Sequence, residues 1–168
     1  MNPLAENANQ YQPPKITVLM PVYNVSKFLP KCLQTLMDQT FRDFRLIAVN
    51  DGSTDNCLEI LRDFEAKYHN ITVIDQPNRG MSMARNAALA LADSKYICFV
   101  DSDDYLAPTF LQELYQAITI HDADIACCYY YYHFVESDSL YKYPFRTSGV
   151  FNKEEAIKRC TNSKSCLE

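Results

Sequence analysis

The stretch ITVLMPVYN, residues 16–24, decides the fold. Its apolar run, rich in β-branched residues, predicts a short strand over Ile16–Val22, which gives way at once to polar Tyr23 and Asn24. Outward from it a rhythm begins. Phe28, Leu29, Cys32, Leu33, Leu36 and Met37 recur at helical spacing, with Ser26 as the expected N-cap and Pro30 in the first turn, where proline is tolerated. A second strand is predicted over Arg45–Val49, a helix around Leu58, Leu61 and Phe64, and a third strand over Ile71–Ile74. An alanine-rich helix over Met81–Leu91, a fourth strand over Tyr96–Val100 and a helix from about Pro108 to Ile118 follow, the last with Phe110, Leu111, Leu114 and Ile118 inward. Strand and helix thus alternate four times. That order predicts an α/β fold, an open and mostly parallel sheet with helices on both faces, Rossmann-like, with right-handed crossovers.

The flanks read differently. Residues 1–15 are polar and proline-bearing and are expected to form a loose leader. After residue 122 the alternation stops. Ile125–Phe134 is predicted as a strand, Tyr141–Phe145 as its partner, and Lys153–Cys160 as a short helix. The four tyrosines at 129–132 are assigned to that strand rather than to sugar stacking, because aromatics are ordinary strand residues.

Composition narrows the function. The 168 residues include only three glycines, where an average share of about 7% gives roughly 12. Neither G-x-G-x-x-G nor G-x-x-x-x-G-K-[ST] occurs, so the two commonest glycine cradles for nucleotides are excluded. Sixteen basic residues against 21 acidic ones give a net charge of −5, which argues against nucleic acid as a partner. No apolar run approaches the roughly 18 residues of a membrane helix, and no secretory signal pattern is visible at the start. Of seven cysteines, Cys32, Cys57, Cys98, Cys127 and Cys128 lie in apolar segments. They read as reduced core residues, which fits the cytoplasm.

Polar residues gather at the predicted strand ends. The first strand runs into Pro21-Val22-Tyr23-Asn24 and the second into Asn50-Asp51-Gly52-Ser53-Thr54-Asp55. The third runs into Asp75-Gln76-Pro77-Asn78-Arg79-Gly80 and the fourth into Asp101-Ser102-Asp103-Asp104. In an open parallel sheet all these ends share one edge, where ligands bind. Each cluster also has a plain structural reading. Ser53, Thr54 or Asp55 is expected to bond exposed N–H groups at the second helix. Asp51 is either part of that turn or an acceptor for a base or ribose. Asp101, Asp103 and Asp104 are either a solvated turn before a helix or hard-oxygen ligands for a divalent cation. Arg79 and Arg85 flank Gly80 near a helix N-terminus, a place that suits an anion. The three histidines are scattered and suggest no zinc site, and no G-x-S-x-G elbow is present.

Five segments in order resemble the inverting family 2 glycosyltransferases with the glycosyltransferase A fold. They are ITVLMPVYN (16–24), DQTFRDF (38–44), LIAVNDGSTDN (46–56), NRGMSMARNAALALA (78–92) and YICFVDSDDYLAP (96–108). The resemblance covers about residues 15 to 120. It implies a donor site for a nucleotide-diphosphate sugar, with a UDP-sugar expected. Pro21, Tyr23 and Asn24 would line the base and ribose pocket, Asp51 would contact the base, and Arg85 would lie near the nucleotide together with Asp101 and Ser102. Asp103 would be the direct ligand of Mn²⁺ or Mg²⁺, with Asp101 beside it, and Asp104 would cap the next helix. The acceptor would be a glycan or lipid-linked hydroxyl, the latter placing the protein at the inner face of the membrane.

The same resemblance implies a carboxylate base well downstream of the D-x-D turn. Only 65 residues follow Asp103, and no Glu-Asp pair occurs among them. Glu136, Asp138, Glu154 and Glu155 are present, and none of them is assigned the role. The expectation is therefore a donor-binding half over residues 16–122 and an incomplete start of the acceptor side over 123–168, with the base beyond residue 168. The alternatives are a non-catalytic module that keeps the fold, or a sugar nucleotidyltransferase. The latter is disfavoured because residues 16–30 contain no glycine.

Overall fold

In a computed structural model of the chain, the structure describes residues 12–134, 136–142 and 149–161. Most of the expected leader therefore lies outside the described residues, as do residues 143–145 of the expected late strand. The described elements run β1 (Ile16–Val22), α1 (Leu29–Met37), β2 (Phe44–Asp51), α2 (Cys57–Lys67), β3 (Ile71–Gln76) and α3 (Met81–Leu89). They continue with β4 (Tyr96–Phe99), α4 (Phe110–Ile120), β5 (Tyr131–Phe134), β6 (Ser139–Lys142) and α5 (Lys153–Thr161).

Four strands form one sheet in the order β3-β2-β1-β4, and all the pairings are parallel. β1 sits in the middle and is buried along nearly its whole length, as is β2. The pleat sends Leu19, Ile47 and Val49 to one face, where they close on Ala84 and Ala88 of α3. Two alanines at i, i+4 let that helix approach the sheet closely. The opposite side is covered by α1 and α2, whose buried residues are Leu29, Cys32, Leu33, Leu36 and Met37 from α1 and Cys57 and Leu61 from α2. The sheet is thus mostly parallel and covered on both faces.

The strand order fixes where a ligand belongs. From β1 the chain steps outward to β2 and β3, then returns to add β4 on the other side of β1. The order reverses between β1 and β4, and open α/β sheets bind ligands outside the strand C-termini at such a point.

Several local expectations need correction. Ser26 is not the N-cap of α1. The helix begins at Leu29 with Phe28 at the cap position and no side-chain cap bond, because the Phe28 and Leu29 N–H groups that a Ser26 cap would satisfy donate to Val25 O, while the Ser26 N–H donates to Asp55 Oδ2 at 2.9 Å. Asp104 does not cap α4, since five residues separate it from Phe110 and its own N–H closes a turn onto Asp101 O. Only Tyr131–Phe134 of the longer predicted strand joins a sheet, where it pairs antiparallel with Ser139–Lys142. Cys127 and Cys128 are exposed, and Cys98 is only partly buried. Cys127 and Cys128 are not core residues because residues 125–130 join neither sheet, and Cys98 is only half covered because β4 is an edge strand. Cys32 and Cys57 are buried as expected.

The chain divides into two compact units, residues 1–112 and 113–168. The first holds the whole parallel sheet. The second holds most of α4, the β5–β6 hairpin and α5.

Candidate functional site

Every site residue expected from the sequence lies in the first unit: Pro21 and Asp51 at the C-terminal ends of β1 and β2, Tyr23, Asn24, Asp101, Ser102 and Asp103 on the segments that follow β1 and β4, and Arg85 on α3. The first loop is set by Asn24. Its φ of 52° is left-handed, a conformation asparagine tolerates better than most residues. There its Oδ1 accepts the Thr54 N–H at 2.8 Å, while its own N–H donates to Ser53 Oγ at 3.1 Å. The loop after β1 is thereby clamped to the loop after β2. Pro21 is partly buried, and Tyr23 is left 49% exposed at the mouth of the switch point.

Asp55 makes a second clamp between the same loops. Oδ2 accepts from Ser26 N–H and Oδ1 from Cys57 N–H, the first amide of α2, at 3.1 Å. Burial alone would raise its pKa, but the hydrogen bonds from Cys57 and Ser26 outweigh it and hold the group down at about 2. The expected capping role in this turn therefore falls to Asp55.

Asp51 is 2% exposed and turned toward its own chain. Oδ1 accepts from Gln76 Nε2 at 2.7 Å and from Arg79 N–H at 2.9 Å, and Oδ2 accepts from Gly80 N–H at 2.8 Å. Burial pushes its pKa up, and these bonds together with the Arg79 charge more than reverse that, leaving it lowered. The carboxylate fixes the loop that leads into α3. A carboxylate has about four acceptor sites, so one on Oδ2 remains.

The turn after β4 collects negative charge. Asp101 and Asp103 are exposed, and Ser102 between them is buried. Burial, then Asp103 and Asp101, raise the pKa of Asp104. Below the turn, burial and the same carboxylates push the Cys32 thiol up to about 12, so it is an inert neutral group. The balancing cation is Arg85, whose Nη2 donates to Asp101 Oδ1 at 2.7 Å. Arg85 Nε is buried and finds no acceptor. Asp103 and Asp104 form no ion pair among the described residues.

The donor set here is hard oxygen, suited to Mg²⁺ or Mn²⁺. Among the described residues no three His, Cys, Asp or Glu side chains assemble into a complete set.

Two residues matter that the sequence reading passed over. Gln76 stands opposite Asp51 in the β2–β3 register and is its side-chain partner, a signal visible only once that register is known. Gln39 is fully buried beyond α1. Its Nε2 donates to Thr35 O and Ala107 O, and its Oε1 accepts the Leu111 N–H of α4. It ties down the segment that follows the acidic turn, and its place in DQTFRDF was the available hint. Two of the four late carboxylates have partners of their own. Asp138 pairs with His133 at 2.9 Å, and Glu155 exchanges hydrogen bonds with Asn152 at the start of α5.

The model of the family described as "Glycosyl transferase family 2" matches residues 17–166. The chain belongs to glycosyl transferase family 2. Among curated relatives, glycosyltransferase GlyA of Streptococcus pneumoniae is 40% identical over 139 residues, covering 83% of this chain and 20% of its own length. Glycosyltransferase GlyG of the same organism is 36% identical over 152 residues, covering 89% and 50%. Among solved structures, S. aureus TarS in complex with UDP superposes with a TM-score of 0.61 at 34% identity, over 66% of this chain and 33% of that one. A Pyrobaculum calidifontis mannosyltransferase, solved with GDP-Man and Mn²⁺, shares the fold at a TM-score of 0.59 and 23% identity, over 65% and 33%. The chain therefore spans half or less of the length of each. The family 2 assignment and the TarS likeness establish a glycosyltransferase domain with the glycosyltransferase A fold. Among the described residues no helix is long and apolar enough to cross a membrane.

Proposed function

We propose that this chain carries the donor-binding half of an inverting, metal-dependent glycosyltransferase that takes a UDP-sugar and serves a glycan or lipid-linked hydroxyl acceptor. The observation that carries the reading is the meeting, at one switch point, of an exposed tyrosine, a buried carboxylate with one acceptor site left, and an acidic turn beside an arginine. TarS, with the same fold, is solved with UDP and with UDP-GlcNAc.

Each group has a role that its chemistry allows. Tyr23 offers a ring for the base to stack on, with Pro21 and Asn24 shaping the pocket beside it. The remaining Asp51 acceptor site faces a base N–H. Asp103, with Asp101, holds a divalent cation, and Arg85 meets the diphosphate. A cation there supplies Lewis-acid stabilisation of the departing diphosphate. The chain's own contribution is orientation, since loops tied by Asn24, Asp51 and Asp55 hold the donor with little freedom to lose. The acceptor hydroxyl needs a carboxylate base within hydrogen-bond reach, and no described residue is assigned to it.

The test is a thermal-shift panel of nucleoside diphosphates with and without Mn²⁺, on wild type and Asp103→Ala. UDP with Mn²⁺ is expected to raise Tm in wild type, and Asp103→Ala to lose the metal-dependent part. Equal metal-dependent shifts in both proteins remove Asp103 from its role. No shift with any nucleotide leaves a non-catalytic module that keeps the fold.

A further inference from the structure

The Arg85–Asp101 pair joins the two groups that the donor reading sends to different partners. Arg85 is needed by a diphosphate and Asp101 by a cation, yet here they hold each other at 2.7 Å. Three observations mark the contact as a resting one. Both side chains are partly solvated, 33% exposed for Arg85 and 52% for Asp101, so the pair is a surface ion pair of modest strength. The guanidinium is not satisfied in this position, because its buried Nε has no acceptor. The turn is also under-neutralised, since Asp103 and Asp104 have no basic partner among the described residues. The Phe99 ring lies 5.8 Å from Arg85 Cζ and gives the side chain an apolar support near the turn.

We propose that Arg85 is an internal counter-ion, which occupies Asp101 until a diphosphate draws it off, so that donor and cation bind in mutual dependence. This rests on the donor-site reading above. The exchange is non-covalent and balanced in charge. One Arg–carboxylate pair is given up, and an Arg–phosphate pair and a carboxylate–cation contact replace it. A cation arriving alone must displace a guanidinium and also sits beside it. A cation arriving with a diphosphate meets a carboxylate already released. Linkage then requires the diphosphate to raise cation affinity by the same factor as the cation raises diphosphate affinity.

The test titrates Mn²⁺ into wild type, Arg85→Gln and Arg85→Lys by calorimetry, first alone and then with saturating UDP, with melting curves to confirm folding. Arg85→Gln is expected to bind Mn²⁺ alone about threefold or more tightly than wild type, the scale of a surface ion pair. It should also gain less Mn²⁺ affinity from UDP. Arg85→Lys keeps the charge and should stay close to wild type, which separates charge from general disturbance of the helix. Unchanged or weaker Mn²⁺ binding by Arg85→Gln, with UDP enhancement intact, overturns the counter-ion role and leaves the donor site standing. Failure of wild type to bind either Mn²⁺ or UDP overturns the donor reading and this proposal with it.

Discussion

Asp55 holds two loops with one carboxylate, and this gives it a measurable pH signature. Its pKa falls from an ordinary 3.8 to about 2 in the folded chain. A lowered folded value means the native state binds the proton less tightly than the unfolded chain does. The stabilisation is therefore fully present above about pH 4 and is lost as pH falls toward 2. Asp51 adds to the loss with the same sign, since its pKa is also lowered. Asp55→Asn keeps the shape but places an amide donor against one of two N–H groups. It is expected to cost about 1–3 kcal/mol at neutral pH. Urea denaturation at a series of pH values should show the variant losing less stability than wild type between pH 4 and 2. Parallel curves for the two proteins mean that Asp55 is not the titrating clamp.

At the scale of elements, the site is a set of loops packed against one another, and Gly52 shows how closely. Its φ is +68°, and a Cβ there would lie 2.6 Å from the Asn78 backbone nitrogen. The loops after β2 and β3 touch at a spacing only glycine permits. Gly80 is also at positive φ, +87°, but a Cβ there meets nothing within 4 Å. Backbone strain of this kind costs about 1–3 kcal/mol, and only Gly52→Ala adds a clash with main chain. Thermal denaturation should rank Gly52→Ala as clearly less stable than Gly80→Ala, and equal losses would mean the loops part freely. These contacts explain what the sequence reading reached. Unbroken apolar runs such as ITVLMPV announce strands buried on both faces, and polar residues after each run announce the sheet edge that binds ligands. The partners of those polar residues depend on register. Asp51 meets Gln76, and Asn50 Nδ2 meets Asp75 Oδ1 at 2.7 Å, because β2 and β3 align these pairs. Nothing local to either strand specifies that alignment. The stretch after residue 122 misled for the opposite reason. Ile125, Tyr129 and Tyr130 have strand propensity, but propensity describes a half-buried pleated surface, and Ile125 is 77% exposed; only Tyr131–Phe134 became a strand.

Across the whole molecule the two units differ in what protects them. In the first, β1 and β2 lie inside a four-stranded sheet covered on both faces, so their amides should open only near global unfolding. In the second, β5 and β6 form a two-stranded sheet whose residues, His133 apart, are exposed. A lone hairpin is marginal in water, so its amides should exchange first. Donor binding provides a sharper contrast, because every group assigned to it belongs to the first unit. With UDP and Mn²⁺, hydrogen exchange is expected to slow at residues 22–26, 51–55, 78–85 and 100–104, where the clamped loops and the Arg85–Asp101 pair reside. Residues 131–134 and 139–142 should exchange as before, since no group assigned to the donor lies among them. Slowing confined to 131–134 and 139–142 would move the nucleotide to the tyrosine-rich hairpin and away from the switch point. Slowing at 22–26 and 51–55 alone would keep the base pocket and detach the acidic turn from the diphosphate. Only the full pattern matches a donor held from base to phosphate along the C-terminal ends of β1, β2 and β4.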